Sequence, residues 1–287
     1  MRLFATSAVL LAAAALGATA AQDPVYTTTR VAGGVHVLDS GQAGNIGVQV
    51  GPDGVLMIDD QFARFAPAIR KEMESIGAGA PRYLVNTHWH GDHTGGNAEF
   101  GGAATILAHD RVRARLIEGN AKTPPAAPEA LPQLTYADRV TLHFNGEEVE
   151  VRALDPGHTD GDSIVWFKGS GVAHLGDHYF AGRFPYIDLD SGGDVAGFVA
   201  NTRALVALLP EDLKLIPGHG PVSTHADLRA TLEMLEATTD IVHQRIAEGM
   251  DEEACVNAGL PAEWDSWSWS FITTRKWLRI CHRSLSR

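Results

Sequence analysis

Residues 87–96, Thr-His-Trp-His-Gly-Asp-His-Thr-Gly-Gly, crowd His88, His90, Asp92 and His93 together with glycines on either side. Imidazole and carboxylate are the usual ligands of zinc and similar divalent ions. A fold containing this run has to deliver several ligand-competent side chains to one place. The preceding segment, Pro-Arg-Tyr-Leu-Val-Asn at 81–86, reads as a strand running straight into the cluster. The histidines are therefore expected at a strand's C-terminal end, where α/β proteins commonly place chemistry.

The surrounding pattern is that of an α/β chain. Short β-rich runs at 25–30, 34–39, 45–50 and 54–59 are separated by Gly, Pro, Asn and Asp, and a helix follows in which Phe65, Ile69, Met73 and Ile76 recur at helical spacing before Gly77. Beyond the histidines come a strand at 104–108, a helix at 109–118 and a Pro-rich loop at 122–128, which reads as a hinge between halves. Strands then resume at 139–144, 147–154 and 163–167, followed by a helix at 194–209, a strand at 213–217 and a long helix after Thr224. In that helix Leu228, Leu232, Leu235, Val242 and Ile246 mark one apolar face. Two α/β halves with facing sheets and outer helices are expected, and no short-period repeat is present.

The ends of the chain carry different signals. Arg2 precedes an apolar run that closes at Ala18-Thr19-Ala20, which reads as a secretory signal peptide over 1–21, cleaved near Ala20 or Ala21; an uncleaved anchor is the alternative. The expected product is secreted or periplasmic, with no membrane association after cleavage. A net charge of -12 argues against an electrostatic footprint for nucleic acid or anionic lipid, both of which reward clustered Lys and Arg. The metal-bearing domain is placed at 22–250. The remaining tail, 251–287, concentrates Trp264, Trp267, Trp269 and Trp277 and is read as a helical extension docking by aromatic burial, with no chemistry assigned to it. Cys255 and Cys281 can pair in an oxidising compartment or remain thiols.

His88 and His90, one residue apart, can project to the same side of an extended loop and converge on one ion. His158, in Asp-Pro-Gly-His-Thr-Asp-Gly-Asp, is the best third ligand. Asp92 and His93 must face elsewhere, toward a second ion that His219, in Ile-Pro-Gly-His-Gly-Pro, would join. Asp177, in His-Leu-Gly-Asp-His, repeats the pattern and could bridge the two. A single histidine on a turn is usually ordinary; four strand ends, each with a ligand-competent group beside glycine, point to a site. His178, next to Asp177, could contact substrate.

The motif His-Trp-His-Gly-Asp-His, followed in order by His158, Asp177 and His219, resembles the metallo-β-lactamase superfamily over roughly residues 25–225. The resemblance implies a four-layer αβ/βα sandwich with metals at the sheets' common edge. It implies two zinc ions, other divalent metals being possible, and hydrolysis by metal-bound hydroxide. On this pattern His88, His90 and His158 hold the first ion, and Asp92, His93 and His219 the second, with Asp177 between. Asp59, ending Gly-Val-Leu-Met-Ile-Asp, matches the aspartate that supports the ligand loop from behind, and Asp92 is the catalytic group that orients the nucleophile and relays a proton.

Two departures shape the expected substrate. Lactamases of one subclass have cysteine where Asp177 stands and lysine three positions on, where this chain has Phe180. An aspartate bridge instead resembles the glyoxalase II and lactonase branches, while the leader disfavours an intracellular thioester. The expected function is a dinuclear zinc hydrolase of a small-molecule amide, lactam, lactone or ester, with β-lactam cleavage possible. The alternatives are a mononuclear iron, persulfide dioxygenase-like oxidoreductase and a non-enzymatic periplasmic metal-binding protein. Within the loop 178–194, Tyr179, Phe184 and Tyr186 are candidates for substrate contact, each equally able to be core.

Overall fold

A computed structural model of the chain describes residues 24–120 and 123–287; the expected leader lies outside the described residues. Two sheets organise the protein. The first contains β1 (Thr27–Ala32), β2 (Val35–Asp39), β3 (Ile46–Gly51), β4 (Gly54–Ile58), β5 (Tyr83–Val85), β6 (Thr105–His109) and β7 (Leu134–Tyr136), side by side in chain order. Its first four strands form an antiparallel meander, and β4 to β7 are parallel. The second contains β8 (Arg139–Phe144), β9 (Glu147–Ala153), β10 (Ser163–Phe167), β11 (Val172–His174), β12 (Lys214–Ile216) and β13 (Ser223–Thr224), again in chain order across the sheet.

Period-two alternation decides which side chains face which layer. In β4, Leu56 and Ile58 point into the core between the sheets, where they meet Val149, Val151, Val165 and Phe167 of the second sheet. Val55 and Met57 point the other way, onto Ala66, Ile69 and Met73 of α1 (Ala66–Ser75), which is followed in the same half by the short α2 (Gly91–Thr94) and α3 (Asn97–Phe100) and by α4 (Asp110–Glu118). On the far side of the second sheet, Ile164, Ala173 and Leu215 pack against Leu205 of α5 (Val195–Leu208) and Leu228 of α6 (His225–Ala247). The layers therefore run helix, sheet, sheet, helix, as the resemblance implied. The long helix begins where the sequence reading placed it, because Thr224 and Asp227 form a reciprocal capping box.

The hinge is corrected. The Pro-rich loop does not separate the halves, because β7 follows it and still pairs with β6 of the first sheet. The crossover comes at residues 137–138, between β7 and β8. A strand of three residues, β7, is too short to show alternation in the sequence.

After α6 the tail forms α7 (Glu252–Ala258), a 3-10 turn at Ala262–Trp267 and α8 (Thr274–Leu285). Trp277 is fully buried against Phe184, and its indole N–H donates to Thr238 Oγ1 at 3.0 Å. Cys255 and Cys281 are buried free thiols. No helix among the described residues is long and apolar enough to cross a membrane.

Candidate metal centre

Every ligand candidate lies where a strand of one of the two sheets ends. After β5 the chain passes His88 and turns at His90, the N-cap of α2 (Gly91–Thr94), a single turn that carries Asp92 and His93. His158 sits on the turn between β9 and β10, Asp177 on the 3-10 turn Gly176–His178 after β11, and His219 in the loop after β12. Two groups result: His88, His90, His158 and Asp177 on one side, and Asp92, His93 and His219 on the other, with ligand atoms inside each group within 4.8 Å of one another.

Asp177 is divided between them. Its Oδ2 lies 3.4 Å from His158 Nε2 and 3.8 Å from His88 Nε2. Its Oδ1 lies 3.1 Å from His93 Nε2 and 3.3 Å from His219 Nε2. Asp92 Oδ2 completes the second group at 3.3 Å from His219 Nε2, and His90 presents Nδ1 to the first, 2.9 Å from His158 Nε2. Gly218 is what lets the His219 loop come this close: a Cβ there would collide with Asp177 Oδ1.

The rings are aimed by partners on their remote nitrogens, the arrangement that fixes imidazole orientation at metal sites. His93 Nδ1 meets Asp59 Oδ2 at 2.7 Å, His90 Nε2 meets Asp188 Oδ2 at 2.9 Å, and His158 Nδ1 meets the Tyr186 carbonyl at 2.7 Å. Asp59 also accepts from Thr87 N at 2.8 Å and Thr87 Oγ1 at 2.7 Å, which ties the end of β4 to the ligand loop. Its backbone is left-handed, at φ 60°, a conformation that costs a non-glycine residue energy and persists at functional sites when its surroundings over-determine it. The loop bearing His158 is held by Asp162, whose carboxylate accepts from the backbone N–H of His158 at 2.7 Å. Asn45, before β3, donates through Nδ2 to the carbonyls of Pro217 at 2.9 Å and Gly220 at 2.8 Å, and through its backbone N–H to Gly218 at 2.7 Å. It thereby fastens the first sheet to the His219 loop of the second.

Electrostatics separate the two groups. Burial, then the neighbouring His93, holds His88 well below the ordinary imidazole range, and burial also lowers His158, so both are neutral and free to donate a lone pair. Burial would likewise lower His93, but Asp177, Asp92 and Asp59 outweigh it and raise the ring well above that range. His219 is raised to about 9: burial opposes this, and Asp177 and Asp92 prevail. Asp177 is held well below the carboxylate range, burial being outweighed by His219 and His93. Buried and without a hydrogen-bond partner are His88 Nε2, His93 Nε2 and Asp177 Oδ1. Three orphaned polar atoms, one in the first group and two facing the second, are costly unless something binds them, and cations are what these donors suit.

A cavity of about 740 Å³ opens over the cluster and is lined by His90, Asp92, Asp177 and His219 together with Phe62, Trp89, Arg183, Tyr186, Trp269 and Phe271. Of the three expected contact residues only Tyr186 lines it. Tyr179 and Phe184 are corrected to core: both have 0% exposure, Tyr179 packed with Leu205 and Leu228, and Phe184 with Trp277 and Leu278. His178 is also off the cavity, buried and stacked on Phe198 with ring centroids 4.3 Å apart. Sequence reasoning missed Asp162 and Asp188, and it assigned no role in the cavity to Trp269 or Phe271. Asp162, four residues past His158 in the same glycine-bearing turn, carried a short-range signal; the aromatic pair carried none, because only the folding back of the tail brings it here.

A model of the metallo-beta-lactamase superfamily matches residues 40–230, and the chain belongs to that family. Among curated relatives, it is 26% identical to the 2,4-dinitroanisole O-demethylase subunit alpha of Nocardioides sp., over 80% of this chain and 68% of that one. It is 28% identical to the hydroxyacylglutathione hydrolase of Methylococcus capsulatus, over 53% of each chain, and 25% identical to the metallo-beta-lactamase type 2 of Bacteroides fragilis, over 60% of this chain and 64% of that one. The chain thus spans about half the length of that hydroxyacylglutathione hydrolase. Among solved structures, DIM-1 metallo-beta-lactamase superposes with a TM-score of 0.63 at 20% identity, covering 76% of this chain and 100% of that one. The sec-alkylsulfatase Pisa1 of Pseudomonas sp. superposes at 0.73 and 14% identity, covering 90% of this chain and 50% of that one. These likenesses show the fold.

Proposed function

We propose that the protein is an exported hydrolase of small esters, lactones, amides or lactams that works with two divalent cations, zinc in the first instance. The division of Asp177 carries the reading: one carboxylate oxygen serves His88 and His158, the other His93 and His219. Five imidazoles and two carboxylates form a donor set suited to zinc, and relatives named as hydrolases support the reaction class. His88, His90 and His158 would hold one ion and Asp92, His93 and His219 the other. Such ions lower the pKa of water and polarise a carbonyl oxygen.

The chain's own residues do the rest. Asp92 faces the cavity, where its carboxylate would orient the attacking water and accept its proton. Passing that proton to the departing alcohol or amine balances the cleavage. Asp188 and the Tyr186 carbonyl keep His90 and His158 aimed while charge develops. Phe180, stacked on His219 with centroids 5.3 Å apart, stands where a lactam-anchoring lysine would be, which favours esters and lactones over β-lactams.

Metal analysis of the purified protein, coupled to turnover of an acyl lactone and of nitrocefin, tests the proposal. Two zinc per chain with lactone cleavage is the expected result. One iron per chain, or bound zinc with no hydrolysis across a broad ester, lactone and lactam screen, would overturn it. Sequencing the mature N-terminus from a periplasmic fraction tests export, with a start at Ala21 or Gln22 expected.

A further inference from the structure

We propose that Trp269 and Phe271, from the tail beyond the family-matched region, form an aromatic wall that selects substrates carrying a planar apolar group, which rests on the cavity being the reaction site. The tail is clamped to the metal-bearing domain next to that cavity. Phe184 N–H donates to the Trp267 carbonyl at 2.8 Å, and Trp269 Nε1–H donates to the Phe184 carbonyl at 3.0 Å. With its polar edge fixed in this way, the Trp269 indole lines the cavity, and the Arg183 guanidinium lies 5.1 Å from its ring centroid.

Phe271 is held just as firmly without being buried. Its ring meets Trp269 and Tyr186 edge-on, each with centroids 5.5 Å apart, and the Lys276 ammonium sits 4.0 Å from its centroid while donating to the Phe271 carbonyl at 3.1 Å. The residue is nevertheless 49% exposed, among the few large apolar residues so open to solvent. An ordered aromatic ring that keeps half its surface in water offers that surface to a ligand.

The wall is continuous with the metal centre. Trp269 lies 6.3 Å from Phe180, and Phe180 stacks on His219 at 5.3 Å with planes 12° apart. A flat group resting on Trp269 and Phe271 is therefore linked to His219 through the single ring of Phe180, with Phe62 and Trp89 also lining the cavity. The lining around the wall also holds Asp39, Asp190 and the Arg183 guanidinium, so the wall's own selectivity is for the flat aryl face.

Phenylacetate and acetate share one carboxylate and differ only by the ring, so the ratio of their dissociation constants on the full, metal-loaded chain isolates the wall. Calorimetry should show phenylacetate bound about tenfold more tightly by the wild type, the scale of one aromatic contact plus its buried area. Phe271→Ala and Trp269→Leu should bring the ratio to about twofold or less with metal content unchanged. Phe271→Ala keeps the test alive should the indole substitution disturb the clamp, because the Phe271 side chain makes no hydrogen bond. In parallel, kcat/KM for methyl phenylacetate over methyl acetate should fall in the same variants. A ratio unchanged in both variants overturns the wall whatever the turnover. Loss of the phenylacetate preference without cleavage of either ester upholds the wall and counts against the hydrolase reading. Ester cleavage indifferent to the ring does the reverse.

Discussion

Asp59→Asn isolates the contribution of one charge behind the ligands. Asparagine keeps the shape and tolerates the left-handed backbone, so neither packing nor strain should change. The carboxylate now serves Thr87 N, Thr87 Oγ1 and His93 Nδ1. An amide has one accepting oxygen and one donating nitrogen. With the oxygen on Thr87 N, the amide nitrogen faces His93 Nδ1 and obliges it to accept, which moves the ring's proton to Nε2. That atom lies 3.1 Å from Asp177 Oδ1 and would have to bind the second ion. The opposite orientation sets two donors against each other at Thr87. Replacing a charged acceptor by a neutral one loses about 1 kcal/mol per bond, hence about 3 kcal/mol over three bonds. At roughly 2–4 °C per kcal/mol the metal-free protein should melt about 6–12 °C lower. Metal affinity of the second group should fall about 10–100-fold, as for other groups that orient a ligand from behind. Chelator competition and thermal melts, each with and without zinc, give both numbers. A D59N protein that takes its second ion with wild-type affinity would refute the argument that Asp59 sets the tautomer of His93.

Three further outcomes are expected. His219, raised from its ordinary 6.5 to about 9, stabilises the metal-free fold in full below pH 6.5 and loses that contribution as pH climbs through about 9. Asp92, lowered from 3.8 to about 2, contributes in full above 3.8 and loses it as pH falls through about 2. Melting temperatures of chelator-treated protein should therefore peak between those limits and decline toward pH 9, while the zinc-loaded form declines less; a rise over that interval would contradict the assigned signs. Asp188→Ala should weaken the first ion about 10–100-fold while leaving the second in place, read by stepwise chelator titration. Trp277→Ala removes a fully buried indole and its bond to Thr238, and should cost about 3–5 kcal/mol in denaturant unfolding.

What the sequence disclosed depended on the range of the interaction involved. The first four strands and α6 were legible because alternation, helical spacing and capping are local. The ligands were legible because each stands beside glycine at a strand end, and the family motif supplied their grouping. Tyr179 and Tyr186 show where this stops. Both belong to one loop and differ little in local surroundings, yet Tyr179 is in the core with α5 and α6 while Tyr186 lines the cavity. Sheet and helix packing makes that choice, and no neighbouring residue encodes it. Asp188 was missed for the same reason: its partner, His90, lies 98 residues away in the chain.

Asn45 holds a wider consequence. The candidate ligands come from both sheets, His88, His90, Asp92 and His93 from one and His158, Asp177 and His219 from the other, so any slip of one sheet along its neighbour would stretch or compress the gap across Asp177. By stapling the loop after β12 to the turn before β3, a neutral side chain that ligates nothing acts as the calliper for that gap.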